Sequence, residues 1–440
     1  MERIRLEISI TLNLFYIMKY KKICVIGLGY VGLPLAIEFG KKYETLGFDI
    51  DNQRVYDLKK KKDLNSQIKK KDFLKSKKLH FSSDKKNLKN YNIFIITVPT
   101  PVSKKKIPDL RYLIDATKLV AINLKANDVV IYESTVFPGA TEEVCVPLLK
   151  KISGISCDKD GRSPNFSYGF SPERLNPGSN QSDIKKIIKV TSGSTNKSLI
   201  VIDDLYKSII KAGTFRAKSV KIAEAAKIIE NTQRDLNIGL INEFQKIFNK
   251  MGLNIFEILE AAETKWNFLK FKPGLVGGHC ISVDPYYLSH KAKKININPK
   301  LVLAGRETNN NMPKFYCNKI LQNIKKKKLK ILVMGLTFKE NCPDIRNSGS
   351  IEMCKIFLKK NITIDSYDPF INKKDTKRLK FINFINKPRK KFYDVVVVTV
   401  AHQNFKKLNN LFFQKILKNK DSVVFDLKNV LNNSVTKKII

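Results

Sequence analysis

The stretch "KKICVIGLGYVGLPLAIEFGKKYETLGFDID", Lys21–Asp51, decides the fold. An apolar run enters a glycine-rich turn, an apolar segment of helical character follows, and a second short run ends in acid. Gly27, Gly29 and Gly32 form G-x-G-x-x-G where a strand passes into a helix, and the missing side chains let a pyrophosphate approach the helix N-terminus. Alone that motif is weakly specific. Asp49 follows about twenty residues later, at the end of the next strand, where a carboxylate takes both ribose hydroxyls and disfavours a 2′-phosphate. The expectation is therefore a doubly wound α/β domain that binds NAD rather than NADP. Arg54 is either a contact to adenine or phosphate or a solvated guanidinium.

Working outward, "NIFIITVPTP" (92–101) and "DVVIYESTVFPG" (128–139) are further apolar strands ending in small polar residues. Ligands of doubly wound sheets lie at such carboxyl ends. Thr97, Thr100 and Thr135 are thus candidate cofactor or substrate contacts, with turn capping as the plain alternative. In "SYGFSPERLNPG" (167–178) Glu173 is either a surface acid or a carboxylate facing the same crevice.

Residues 219–250, "SVKIAEAAKIIENTQRDLNIGLINEFQKIFNK", read as one long helix closed by Gly252. Lys227, Asn231 and Arg234 fall on one face of it, either as a solvated polar stripe or as a pocket lining that holds a developing alkoxide. Beyond it, "LVGGHCISVDPYY" (275–287) sets Cys280 behind Gly277 and Gly278 and four residues before Asp284. A nucleophile needs backbone room and a nearby proton-handling group, whereas a packed apolar cysteine needs neither.

A second α/β unit begins near Leu329 with "KILVMGLTFKENCPDIRNS" (330–348) and continues through 361–370, 393–400 and 422–428. It offers only Gly335 where the first turn has three glycines, so a second dinucleotide is not expected. Lys339 and Arg346 in that turn suit phosphates of a nucleotide-like ligand.

The chain of 440 residues carries 82 basic and 40 acidic residues, a net charge of +42. Twelve of the basic residues are Arg, and the Lys runs at 59–62, 69–71 and 325–328 have no aromatic interleaving. This argues against specific nucleic-acid binding and leaves nonspecific attraction to polyanions at low salt. Seven scattered cysteines without a CxxC pair, and four histidines without HExxH, give no zinc site or disulfide framework, so no metal and a reducing, cytoplasmic setting are expected. The apolar segment before Met18 lacks a signal-peptide cleavage pattern, and residues 1–17 read as a dispensable extension.

The segments "GLGYVGLPLA", "ITVPTP", "YESTVFPG", "SPERLNPG", "EAAKIIENTQRDLNI", "KPGLVGGHCISVDPYYL" and "GLTFKENCPDIRNS" together resemble the UDP-glucose/UDP-N-acetylhexosamine 6-dehydrogenase family from about residue 20 onward. They are especially similar to the branch that oxidises UDP-N-acetylhexosamines for surface polysaccharides, the Vi-polysaccharide type. The resemblance implies two Rossmann-like domains joined by a central long helix and a helical dimerisation segment: an extension at 1–19, an NAD domain at 20–214, a central domain at 215–324 and a UDP-sugar domain at 325–440. It implies a homodimer and a C6 alcohol oxidised twice, consuming two NAD. Cys280 would add to the aldehyde, with a thioester released by water. Lys227 and Asn231 would support the C6 oxygen. Asp284 would orient Lys227 or a water, and Thr135 and Glu173 would serve the bound water and thioester hydrolysis. Gly277 and Gly278 would leave room for the sugar, Lys339 would contact the nucleotide sugar, Arg346 the cofactor, and Arg234 a 2-acetamido group or ring hydroxyl. UDP-N-acetylglucosamine is the expected substrate, with UDP-N-acetylgalactosamine or UDP-glucose as alternatives. The different-class alternative is a noncatalytic nucleotide-binding scaffold.

Overall fold

A computed structural model of the chain describes residues 21–65, 67–174, 184–322, 324, 329–432, 435 and 438. The extension expected at 1–17 and the lysine run at 325–328 lie outside the described residues. Two compact units are present, one of the described residues up to Glu230 with Tyr286–Ile295, the other of Asn231–Pro285 with the described residues from Asn296.

In the first unit, β-branched and apolar runs form β1 (Lys22–Ile26), β2 (Glu44–Phe48), β3 (Leu79–Ser82), β4 (Ile93–Ile96), β5 (Val129–Tyr132), β6 (Ser156–Cys157), β7 (Asn165–Phe170), β8 (Lys189–Gly193) and β9 (Thr214–Arg216). Their order is β3-β2-β1-β4-β5-β7-β8-β9, with β6 paired to β7, and every pairing is parallel except β7 with β8. Strands covered on both faces need continuous apolar sequence, and Ile93–Ile96 and Val129–Tyr132 are each fully buried. Helix α1 (Gly32–Phe39) follows the glycine turn and buries Leu33, Ile37 and Phe39 in a core with Ile23, Val25, Ile95 and Ile131.

The second unit carries a five-stranded sheet of β10 (Lys330–Met334), β11 (Thr363–Tyr367), β12 (Asn383–Phe384), β13 (Val395–Val398) and β14 (Val423–Asp426), ordered β12-β11-β10-β13-β14 and parallel throughout. Alternation along β10 and β13 sends Ile331, Val333, Val395 and Val397 into one core and Leu332, Met334, Val396 and Val398 into another. Both faces are therefore buried, as in a doubly wound sheet. The 31-residue helix α2 (Val220–Lys250) runs unbroken from the first unit's sequence into the second's and ends before Gly252, whose φ of +78° terminates it. Helices α3 (Asp284–Lys294), α4 (Lys300–Gln322) and α5 (Gly349–Lys359) complete the frame used below.

The two sheets share one turn design. Gly27, at φ +91°, donates its N–H to Phe48 O at 2.9 Å, and Gly335, at φ +96°, donates to Tyr367 O at 2.9 Å. Thr97 Oγ1 caps Ile26 O and Gly27 O at 3.0 and 2.7 Å, and Thr399 Oγ1 caps Met334 O and Gly335 O at 3.1 and 2.5 Å. An aspartate after the second strand of each unit, Asp49 or Asp368, accepts the amide of the leucine after the glycine at 2.8 or 2.6 Å. Each turn is thus held at the switch point of its sheet, where the strand order reverses and ligands bind.

Candidate active site

At the first switch point Gly32 permits a backbone crossing: a Cβ there would lie 2.0 Å from Gly27 O and 2.3 Å from Thr97 Oγ1. Gly29 differs, because a Cβ there would meet nothing within 4 Å, leaving an open surface at the start of α1. That is the cradle a pyrophosphate needs. Asp49 is partly exposed; its Oδ1 accepts Asp51 N at 3.0 Å and its Oδ2 accepts Leu28 N, with a further lone pair on each oxygen for ribose hydroxyls. Gly27, Gly29, Gly32 and Asp49 therefore fit NAD. Arg54, a candidate adenine or phosphate contact, is anchored beside the glycine turn. Its Nε and Nη2 donate to Leu28 O at 3.0 and 2.9 Å and its Nη1 pairs with Asp63 at 2.9 Å, so its hydrogen-bonding edge holds the turn itself. Thr97 is likewise a buried cap of that turn.

Thr100 Oγ1 donates to Thr135 O at 2.6 Å, tying the ends of β4 and β5 together, and Tyr287 Oη donates to Thr100 O at 3.0 Å. Past β7 the chain places Glu173 in a buried charge cluster. Lys227 Nζ donates to Glu173 O at 2.5 Å and stands 3.6 Å from its carboxylate. Burial pushes the Glu173 carboxyl up from its ordinary value, opposed by Lys227 and Lys189 and reinforced by Glu133. Two members of this cluster escape sequence reasoning. Lys189 Nζ pairs with Glu133 Oε2 at 2.6 Å and donates to Pro172 O at 3.1 Å, while Tyr206 Oη donates to Glu133 Oε1. Among seventy lysines nothing in the composition singles out Lys189, which opens the short strand β8, KVTSG.

In the second unit the segment after Gly274 forms a turn that ends in α3. The carbonyl of Cys280 accepts Val283 N at 2.9 Å and Asp284 N at 2.8 Å, so the cysteine sits one turn ahead of the aspartate. Of the seven cysteines six are buried and Cys280 is not. Asn231 Nδ2 donates to Asp284 Oδ2 at 2.5 Å, and both residues are buried. Exposed Arg234 follows on α2, with Nη1 3.4 Å from Asn231 Oδ1. Gly277 and Gly278 stand against the turn 338–347. A Cβ on Gly277 would lie 2.7 Å from Asn347 O, and one on Gly278 2.7 Å from the Phe338 ring, so these glycines admit the close approach of the turn 338–347. Gly278 N donates to Arg346 O at 3.0 Å and Asn347 Nδ2 donates to Gly278 O at 2.8 Å, fixing that approach. The Arg346 guanidinium is held by Asp344 at 2.5 Å and lies 2.9 Å from His279 Nδ1. Lys339 lines a pocket with Thr337, Phe338, Gly349, Thr399 and Lys428, at the switch point between β10 and β13.

A glycine-cradled dinucleotide turn, a second switch-point pocket and a turn-borne accessible thiol define an α/β nucleotide-dependent oxidoreductase. Residues 21–210 match the NAD binding domain of the UDP-glucose/GDP-mannose dehydrogenase family, 221–311 its central domain and 332–433 its UDP binding domain. The chain is 46% identical to a UDP-N-acetyl-D-glucosamine 6-dehydrogenase of Pseudomonas aeruginosa, over 94% of this chain and 98% of that protein. It is 45% identical to one of Salmonella typhi, over 93% and 96%. A solved UDP-D-ManNAc dehydrogenase from Pyrococcus horikoshii superimposes with a TM-score of 0.81 at 30% identity, covering 94% of this chain and 96% of that one. The chain belongs to the UDP-glucose/GDP-mannose dehydrogenase family and is an NAD-dependent nucleotide-sugar dehydrogenase. Among the described residues no helix is long and apolar enough to cross a membrane.

Proposed function

We propose that this chain oxidises the C6 alcohol of a UDP-N-acetylhexosamine, with UDP-N-acetylglucosamine preferred, twice to the uronic acid, in the cytoplasm, for surface polysaccharide synthesis. NAD, when bound, accepts the hydride of each oxidation. The observation that carries the reading is Cys280, an accessible thiol on a turn that also fixes Asp284. Its sulfur adds to the C6 aldehyde, giving a thiohemiacetal that retains the intermediate, and the second oxidation leaves a thioester that water opens. Lys227 and Asn231 stabilise negative charge on the C6 oxygen. Asp284, hydrogen-bonded to Asn231, orients the proton-transfer group. Glu173, held by Lys227, serves thioester hydrolysis with a water at Thr135. Lys339 and Arg346 contact the nucleotide sugar and the cofactor.

The segments 20–214, 215–324 and 325–440 act in this scheme as cofactor, central and UDP-sugar domains, a division supported by the spans of the three family matches. A homodimer through the central segment is part of the same reading. Exposed Ile222, Ile229, Leu240 and Ile247 recur at spacings of seven and eleven along α2 and so line one stripe of that helix, an apolar surface for a second copy. Two NADH released per sugar, with a sugar adduct on the Cys280 peptide by mass spectrometry, is the expected result. One NADH per sugar would replace the scheme with a single oxidation, and none would leave a binding scaffold. Light scattering that finds a monomer at micromolar concentration would remove the dimer.

A further inference from the structure

The turn after β10 is held by a buried pair that the chemistry above does not use. Asp368 Oδ2 accepts Leu336 N at 2.6 Å and Thr337 N at 2.9 Å, and His402 Nε2 lies 3.3 Å from the same oxygen. His402 has no exposed surface, stacks on Phe370 at 4.8 Å and meets Phe405 edge-on at 5.1 Å. Its Nδ1 accepts the backbone N–H of Asn341 at 3.0 Å. A ring nitrogen that accepts an amide carries no proton, so the proton of the neutral ring sits on Nε2, facing Asp368. Thr337 Oγ1 is 3.2 Å from Nε2 and donates to Lys339 O at 3.0 Å. Four backbone groups of the 336–341 loop are therefore fixed by two buried side chains and one hydroxyl.

That loop carries Phe338 and Lys339 into the pocket at the second switch point. The corresponding aspartate of the first unit, Asp49, takes one turn amide and stays partly exposed. In the second unit a histidine from the end of β13 closes over the aspartate. We infer that Asp368 and His402 are positioning residues that preform the 336–341 loop for the diphosphate of the UDP-sugar, and that His402 seals Asp368 from the ribose-binding role Asp49 is built for. The inference rests on the UDP-sugar reading of this pocket. Its consequence is a loop ordered before ligand arrives, which removes the ordering entropy from binding.

The test uses the full chain and UDP itself, by isothermal titration, with NAD titrated separately. His402→Leu is expected to weaken UDP binding about tenfold or more, since it leaves the Asn341 amide and the Asp368 carboxylate without their ring partner. His402→Asn, which keeps an acceptor for Asn341 N, stays within about threefold. Asp368→Asn is nearly isosteric, but Oδ1 accepts Phe370 N at 2.8 Å while Oδ2 takes Leu336 N and Thr337 N, so in either orientation its amide donor faces an N–H, and it too weakens UDP about tenfold. In both weakened variants KM for the UDP-sugar rises while kcat at saturation and NAD affinity stay within about twofold. Wild-type UDP affinity in folded His402→Leu or Asp368→Asn overturns the inference. Hydrogen exchange in the wild type is an independent arm: the 336–341 amides should exchange slowly before UDP is added, and fast exchange that slows only with UDP also overturns it. A wild type that binds no UDP would instead remove the UDP-sugar reading on which this rests.

Discussion

Lys227 Nζ binds the backbone carbonyl of Glu173 at 2.5 Å while standing 3.6 Å from the carboxylate of the same residue. One ammonium thus fixes the position of an acid and sets part of its field. In the proposed chemistry that charge is needed when the C6 oxygen becomes negative, so Lys227→Met should lower kcat by at least about 100-fold with a much smaller change in KM. Glu173 adds a pH signature. Burial raises its carboxyl above the ordinary value, so thioester release, which uses the deprotonated form, should fail on acidification at a higher pH than an exposed glutamate would give. Single-turnover release followed from pH 8 to pH 5 measures this, and Glu173→Gln should abolish the dependence while the acyl-enzyme accumulates.

The cysteines separate by environment. Burial pushes the thiols of Cys342 to about 11 and of Cys145 and Cys354 to about 12, and raises those of Cys24, Cys157 and Cys317. At pH 8 these six are protonated and shielded, so brief iodoacetamide treatment of the folded chain should label Cys280 first and stop NADH production. Peptide mapping checks the site. Cys280→Ser should retain NAD and UDP affinity and fail to complete the second oxidation; full NADH output from it would remove the nucleophile from the scheme.

Glu224 gives a stability prediction. Its carboxylate, buried on α2, accepts Gly139 N at 2.5 Å and Thr141 N at 2.9 Å, and burial still pushes it up to about 7. A carboxyl whose folded value lies above its unfolded value of 4.5 binds a proton more tightly in the folded state, so stability falls as pH rises from about 4.5 through about 7 and the loss is complete above. The loss amounts to on the order of 3 kcal/mol. Glu224→Gln keeps one acceptor and sets its amide donor against the other N–H, so its stability relative to wild type should be better at pH 8.5 than at pH 5 by a few degrees of melting temperature. A difference that is constant across this range in calorimetry would contradict the raised value.

The first sheet was legible because its chemistry is local: Gly27, Gly29, Gly32 and Asp49 occur in one strand-turn-helix-strand unit, and each does there what its residue type requires. The long helix was equally legible from periodicity and its terminal glycine. Pairing across long sequence distances was not. Asn231 finds Asp284 53 residues away, and Lys189 finds Glu133 56 residues away, in a chain where lysine is the commonest charge. The packing of the glycines before Cys280 was hidden for the same reason, since their neighbours Phe338 and Asn347 come from a distant turn whose approach no spacing rule reports. The anchoring of Arg54 by Leu28 O and Asp63 was equally out of reach, since no spacing rule pairs a guanidinium with a carbonyl 26 residues away.

Substrate choice is the sharpest remaining prediction. Arg234 is exposed, one turn beyond Asn231 on α2, with Nη1 3.4 Å from Asn231 Oδ1, a contact weak enough to be exchanged for a ligand oxygen. An acetamido carbonyl accepts well from a guanidinium, and a site built to hydrogen-bond that group is left with unpaired donors when a 2-hydroxyl replaces it. We expect kcat/KM to be highest for UDP-N-acetylglucosamine, lower for UDP-N-acetylgalactosamine, and lower for UDP-glucose by about 100-fold or more. Arg234→Ala should narrow the gap between the N-acetylated sugars and UDP-glucose, chiefly by reducing activity on the former. UDP-glucose turned over best by wild type would overturn the assignment of the sugar and leave the double oxidation at Cys280 standing, whereas an unchanged ratio in Arg234→Ala would remove only the role given to that arginine.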